Sequence, residues 1–426
     1  MSRPKVAIVG GGASGALAAL HLARAGTGPV RLIERERAPG RGVAYSTDRP
    51  EHLLNVPARR MSAFADDPDH FVRWFEAFGG DAEAFAPRRI YGDYLAGLLA
   101  AEAGVELVRG EAVDVDEGGV TLADGRRIEA DTVVLAPGNL APATPIDTAC
   151  LGERWVADPW AGDFASGLGD DDDVLLVGTG LTAVDAVLTL EALGFRGRIL
   201  ALSRRGLAPR AHGEREPMVA PQEDLPATCV GLLRRVRRRS REIGWRSAVH
   251  ELRNVTQAIW RSASDAERRR FLRHLRPWWD VHRHKIAPPV AERIAAVEAE
   301  GRLEFAAGRI TGIDGGIVRW RPRGTDEVRE FKAARVLNCT GPECDLARAG
   351  EPLLDALLAK GAIRADKLRT GLDVDDDCRV IGADGTASDT LFAIGPITRS
   401  AFWESVAVPD IRVQAAQLAE RLRSGS

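Results

Sequence analysis

The sequence is poor in cysteine, lysine, tyrosine and methionine, and it has no long apolar run. Five cysteines scattered over 426 residues do not make a disulfide framework, so a reducing, cytoplasmic setting is expected. No stretch reaches the about 18 uninterrupted apolar residues that a membrane-spanning helix needs. The run from Met1 to Gly26 is apolar but interrupted, and it has no small-residue cleavage site, so neither a signal peptide nor a membrane contact is expected. Only five of the 58 basic residues are lysine. Arginine in their place, with abundant alanine and glycine, reflects a GC-rich bacterial genome rather than a function. A net charge of −3 argues against nucleic acid as a partner. No cysteine pair has zinc spacing with a histidine, and no nucleophile elbow is present, so no metal and no serine hydrolysis are expected. The balance of 45% hydrophobic and 28% charged residues is that of a globular chain, with roughly two to three domains at about 150 residues each.

Val6-Ala7-Ile8-Val9 is a short β-branched run suited to a buried strand. It leads straight into Gly10-Gly11-Gly12-Ala13-Ser14-Gly15 and a helical stretch, Ala16 to Ala25. Gly10 permits a tight turn, Gly12 lets backbone approach a pyrophosphate, and Gly15 lets helix and strand pack closely. The amides around Ala13 and Ser14 then begin a helix whose positive end faces the phosphates. A second strand, Val30 to Ile33, ends at Glu34, where an acid would hold a ribose hydroxyl pair, with Arg35 next to it.

The pattern recurs. Val174-Leu175-Leu176-Val177 runs into Gly178-Thr179-Gly180-Leu181-Thr182-Ala183 and a helix to about Leu193. The following strand, Arg198 to Leu202, ends in Ser203-Arg204-Arg205 rather than an acid. An arginine there suits a 2′-phosphate and so NADPH over NADH; a solvated surface pair is the alternative. Each half also carries a strand, a β-meander and a last apolar strand ending in glycine. One runs from Gly104 to Gly138, the other from Gly301 to Gly341.

On these motifs the chain resembles the two-dinucleotide-binding-domain flavoproteins, in which one unit holds FAD and the other delivers a nicotinamide. More narrowly it resembles bacterial FAD/NAD(P)-binding proteins similar to the flavin N-hydroxylating monooxygenases of ornithine and lysine. Arg41-Gly42-Val43-Ala44-Tyr45, His52 to Pro57 and Trp278 to His284 carry that narrower likeness. The resemblance implies an α/β fold: two Rossmann-like dinucleotide-binding domains, for FAD and NADPH, with β-meander insertions and a helical cap. It places the first part of the FAD domain at 1–145 and the NADPH domain at 170–345 with a helical insertion at about 211–300. The FAD domain returns at 346–426, through Leu391 to Gly395 and a helix from about Val408 to Arg423. The family's Gly-Asp pair stands here as Gly395-Pro396. The resemblance further assigns Arg41, Gly42, Asn55, Val113, Gly138, Gly341, Gly395, Pro396 and Trp403 to cofactor binding.

FAD reduced by NADPH would then pass electrons to oxygen or to an organic acceptor. Oxygen chemistry wants a dry pocket, for which Trp278, Trp279, Phe402 and Trp403 are candidate lining, against an ordinary core role. Trp279, Asp280, His282, His284 and Trp403 are the catalytic candidates, with a structural network of Asp280 and the histidines as the alternative. Cys339 and Cys344 have a redox-like spacing but stand after the second unit's last strand, so two idle thiols are expected. Gly231 to Arg276 holds fourteen arginines against four acids, with apolar residues at helical spacing. Amphipathic helices capping the nucleotide unit are expected there. The expected activity is a monooxygenase acting on a small amine or amino acid. A reductase without oxygen insertion and a redox-sensing flavoprotein are the rivals, and homo-oligomerisation is left open.

Overall fold

The computed structural model describes residues 4–36, 38–213, 221 and 225–424. Its centre is two sheets with parallel cores and antiparallel edges, each grown from one of the glycine-ended strands. Val6–Val9 is buried along its whole length. Parallel neighbours flank it, Val30–Glu34 on one side and Thr132–Leu135 on the other. The six-stranded sheet runs Arg379–Ile381, Ala387–Ala393, Thr132–Leu135, Val6–Val9, Val30–Glu34, Val105–Arg109. The C-terminal segment therefore completes the first sheet, with Leu391 in register with Val133. The helices Ala13–Ala25 and Val408–Ser424 pack against each other.

The seven-stranded sheet runs Arg329–Lys332, Ile317–Pro322, Leu303–Asp314, Ile199–Ser203, Val174–Val177, Arg335–Asn338, Trp155–Val156. Alternation along Val174–Val177 feeds two cores: Val174 and Leu176 join one, Leu175 and Val177 the other. The two meanders differ. In the first half Ala112–Asp116, Gly119–Leu122 and Arg127–Glu129 form a separate small sheet. In the second, one long strand carries the meander into the main sheet, since Leu303–Asp314 pairs parallel with Ile199–Ser203 up to Ala307 and antiparallel with Ile317–Pro322 from Gly308.

Between Ile199–Ser203 and Leu303–Asp314 the chain inserts a set of helices. These are Cys229–Ile243, Trp245–His250, Thr256–Ser262, Asp265–Arg270, a π-helical turn Phe271–Leu275, and Arg276–Arg283. Pro288–Ala299 then packs back on Leu181–Ala192. Residues 214–220 and 222–224 of the expected insertion lie outside the described residues. The first helix starts at Ala13 rather than Ala16, because Gly12 itself serves as its N-cap. Among the described residues no helix is long and apolar enough to cross a membrane.

Candidate active site

At the first turn the glycines are required by contact. Gly10 has φ 105° and a Cβ there would stand 2.3 Å from the Ala136 carbonyl oxygen; at Gly15 it would stand 1.8 Å from the Gly10 oxygen. No side chain caps the Ala13–Ala25 helix, which leaves its positive end for an anion. The Gly11 N–H donates to Glu34 Oε2 at 2.9 Å and the Glu36 N–H to Oε1 at 3.0 Å, so the carboxylate stands beside the turn. The Gly40–Gly42 loop crosses over it: the Gly40 N–H donates to the Gly11 oxygen at 2.7 Å. From the other side Gly395, with φ 79°, lies so close that a Cβ would be 2.4 Å from Ser14 Oγ. The C-terminal return thus touches the glycine turn itself.

The second turn repeats this plan. Gly178 has φ 125° and a Cβ would meet the Cys339 oxygen at 2.2 Å, whereas Gly180 faces open space. Thr179 Oγ1 donates to the Leu207 oxygen at 2.6 Å, and Ser203 Oγ accepts the Gly206 N–H at 3.0 Å. These bonds shape the Ser203–Leu207 loop and present Arg204. Arg204 is exposed and makes no polar contact among the described residues, while Arg205 donates to the Arg273 oxygen in the cap at 3.4 Å.

A buried clamp joins the two units. Arg88 pairs with Asp185 at 2.8 Å, and both side chains are largely buried. His52 Nε2 meets the Asp185 carbonyl at 3.2 Å and Thr189 Oγ1 at 3.0 Å, while Nδ1 meets Thr47 Oγ1 at 2.9 Å. Asp185 and Thr189 both lie on the helix that opens at the second glycine turn. The orientation of the two glycine turns is therefore held by polar contacts out of water.

The cap lines a half-open cavity of about 440 Å³ whose walls are largely aliphatic and aromatic, among them Leu233, Val236, Leu252, Phe271, Trp279 and Trp403. One wall comes from the C-terminal return. Trp403 stacks on Trp260 with ring centroids 4.4 Å apart, and Trp260 Nε1 donates to the Ser400 oxygen at 2.7 Å. Behind this wall sits Glu404, buried and in the left-handed region at φ 74°. It accepts Trp279 Nε1 at 2.6 Å and lies 2.6 Å from Arg283 Nε and 3.6 Å from His284 Nε2. Of the histidines weighed with Asp280 as a structural network, His284 is the one that approaches Glu404. Asp280 pairs with Arg276, one helical turn away on the same helix, at 3.4 Å. His282 turns to the Trp278 carbonyl and to the face of Trp245.

Residues 7–140 match the family model described as FAD-NAD(P)-binding. The match covers the first unit and less than half of the chain. No curated protein matches the chain in sequence. Among solved structures, the ornithine N-hydroxylase of Kutzneria sp. 744, with reduced FAD, NADP+ and L-ornithine, has a TM-score of 0.67 at 15% identity over 99% of each chain. The bacillithiol disulfide reductase of Bacillus cereus gives 0.60 at 15% identity over 99% of each chain. A flavin monooxygenase of Stenotrophomonas maltophilia gives 0.60 at 16% identity, over 100% of this chain and 99% of that one. The likeness is one of fold, an architecture of two dinucleotide-binding-type domains.

Within this FAD/NAD(P)-binding scaffold the expected site residues fall into groups. Gly10, Gly12, Ala13, Ser14, Gly15, Glu34, Gly42 and Gly395 converge on the first turn. Gly178, Gly180, Leu181, Thr182, Ser203 and Arg204 surround the second, although Leu181 packs into the core and Ser203 is spent on its own loop. Gly138 and Pro396 border one small cleft together with Cys344 and Arg399. Gly341, with φ 85°, faces open space at the end of the second unit's last strand. Arg35 turns to Glu351 at 3.2 Å and to Glu111, and Arg41 pairs with Asp93, so both already have carboxylate partners. Asn55 offers its carbonyl to His212 Nε2 at 3.0 Å, and Val113 is half-buried in the small sheet. Cys339 and Cys344 are unbridged. Cys339 is buried against the second turn, where burial pushes its thiol pKa far up, and Arg399 Nη1 approaches Cys344 Sγ at 3.0 Å. Asp185, His52, Arg88 and Glu404 are the residues that local pattern missed. His52 lay inside a motif already singled out, but nothing in the sequence names its partner.

The donor sets suit the two nucleotides. Both helices open on an uncapped glycine; one turn has a carboxylate beside it and the other a guanidinium without a polar partner among the described residues. Burial lowers the pKa of His284, against the opposing pull of Glu404, so its ring stays neutral at pH 7. Burial likewise raises the Asp280 carboxyl, despite Arg276.

Proposed function

We propose that the chain is an FAD- and NADPH-dependent flavin monooxygenase of the N-hydroxylating kind, acting on a small amine or amino acid. The observation that carries this reading is the apolar, aromatic cavity of about 440 Å³ that the cap builds against Trp403. Bound FAD supplies the two-electron chemistry, with NADPH as its reductant. The rest is the protein's own work. Amides of the two glycine turns bind pyrophosphate, Glu34 holds a ribose and Arg204 the 2′-phosphate. The Arg88–Asp185 and His52 contacts fix one nucleotide turn against the other. Trp260, Trp279 and Trp403 exclude water beside the C-terminal return, and Glu404 orients Trp279. A thiol–disulfide role is poorly served, since Cys339 is buried and bonded to nothing that would activate it.

The test is anaerobic mixing of the flavin-loaded protein with NADPH, followed by air, under continuous spectral recording. Bleaching of the flavin band and then a transient blue-shifted absorbance supports the monooxygenase reading. Bleaching with direct return to the oxidised spectrum points to a reductase. A flavin that NADPH never bleaches refutes the proposal.

A further inference from the structure

The polar atoms on the cap cavity's wall are almost all spent on the protein itself. Ser240 Oγ donates back to the Val236 oxygen and Thr256 Oγ1 to the Leu252 oxygen, each at 2.7 Å. The Glu267 carboxylate accepts the Cys229 N–H at 2.7 Å and pairs with Arg270. His282 Nδ1 lies 2.7 Å from the Trp278 oxygen. Two guanidinium groups on the wall carry a charge that no carboxylate among the described residues balances. Arg268 donates only to backbone carbonyls, those of Trp260 and Arg261, both at 2.9 Å, and lies 5.3 Å from the Trp260 ring centroid. Arg237 has no polar partner among the described residues, and it too lines the cavity.

The unbalanced charge on this apolar cavity is therefore positive. A flexible alkyl-ammonium side chain entering it would lose its hydration, find no unpaired carboxylate and face two guanidiniums. An aromatic body would bury its faces against tryptophan, and a carboxylate attached to it would complete the charge of an arginine with paired N–H donors. The volume of about 440 Å³ lies within the range of roughly 300–1,000 Å³ typical of small-molecule sites. We infer that the cavity selects a substrate with a bulky apolar, aromatic-sized body and a carboxylate, as in aromatic amino acids, over a basic amino acid. The inference rests on the cavity being the substrate site of the proposed monooxygenase.

Binding to the oxidised, flavin-loaded protein without NADPH tests the inference apart from that reading. The ligands are 3-phenylpropionate, 3-phenylpropylamine, L-phenylalanine and L-ornithine, followed by tryptophan fluorescence and calorimetry. The acid is expected to bind at least about tenfold tighter than the amine of the same shape, the effect of one charge-assisted contact. L-Phenylalanine is expected to bind and L-ornithine not. Arg237→Gln, at a side chain without structural partners, and Arg268→Gln should each reduce that preference, and Leu233→Trp should abolish binding by filling the cavity. Equal or tighter binding of the amine, or binding of L-ornithine alone, overturns the inference. An acid preference that all three variants retain overturns it as well, by placing the ligand elsewhere. Acid binding in a protein that never oxygenates any ligand would refute the monooxygenase reading and leave the cavity's selectivity standing.

Discussion

Glu404 offers the sharpest test of how the cap is held to the C-terminal return. Its side chain is 6% exposed, it lies 2.6 Å from Arg283 Nε, and Arg283 is itself only 14% exposed. The contact is one of charge rather than of an aligned hydrogen bond, whereas Trp279 Nε1 donates squarely to the same carboxylate at 2.6 Å. Glu404→Gln keeps an acceptor for Trp279 and removes the charge, leaving Arg283 buried beside His284. Removing one partner of a buried pair costs about 3–5 kcal/mol. Asp410 also attracts Arg283, so the low end, about 3 kcal/mol, applies. Spread over a chain of this size, that lowers Tm by roughly 3–6 °C. Arg283→Met should cost a similar amount, and the double variant should recover on the order of 1–2 kcal/mol relative to additivity. Burial alone would raise the Glu404 carboxyl, but Arg283, His284, the Trp279 N–H and Arg253 outweigh it and hold it below the usual range. A depressed folded value means the stabilisation is complete above the unfolded value of about 4.3 and is lost as pH falls through the folded value. The gap between wild type and Glu404→Gln should therefore narrow as pH drops below about 4. Melting curves of the four proteins across pH decide it. A Tm change under about 1 °C, or additivity within about 0.5 kcal/mol, would show that Glu404 carries no such coupling.

Three further outcomes follow from the cradles and the clamp. Arg204→Ala should cost NADPH about 10- to 100-fold in affinity, the loss of a charged contact, and leave NADH nearly unchanged. An unaltered preference ratio would remove Arg204 from the 2′-phosphate. Glu34→Ala should lower the flavin retained through purification, and a fully yellow variant would end the ribose role of Glu34. Burial, ahead of the opposing pull of Asp185, lowers the pKa of His52. The unfolded chain then takes the proton more readily, so stability should decline as pH falls from about 6.5 toward the lower folded value. His52→Gln should flatten that part of the profile, and an identical slope in the variant would contradict the assignment.

The cradles were legible because each is local. A strand, a glycine turn and a helix occupy some twenty consecutive residues, and glycine is demanded by one neighbouring carbonyl, that of Ala136 or of Cys339. The clamp was not legible. His52 and Arg88 acquire their meaning from Asp185, which stands a hundred residues or so further on in the second unit. The acid beside the cap histidines was misplaced for a related reason. Asp280 stands four residues from both Arg276 and His284, which is helical spacing, so local pattern favours it. The chain instead brings Glu404 back from the C-terminal return, and its approach to Arg283 is closer than that of Asp280 to Arg276.

The cap shows where the hydrophobic pattern stops being informative. Leu232, Leu233, Val236, Val249, Leu252 and Ile259 recur at helical spacing, and such a stripe implies only that the face avoids water. A face sealed against a neighbour and a face lining a ligand cavity are written identically in sequence. Charge separates them. Arg235 and Arg239 both find Glu251, which is almost wholly buried, and that shared carboxylate ties the helix Cys229–Ile243 to the segment that follows it. Arg237 lies on the same helix, lines the cavity and has no such partner among the described residues. In a packed core an arginine left without a counter-charge is costly. At a cavity wall, where solvent or a ligand anion reaches it, the cost is absent. Arg235 and Arg239 thus mark the structural face of this helix, while Arg237 is exposed on another, a distinction that the fourteen-to-four charge count alone could not make.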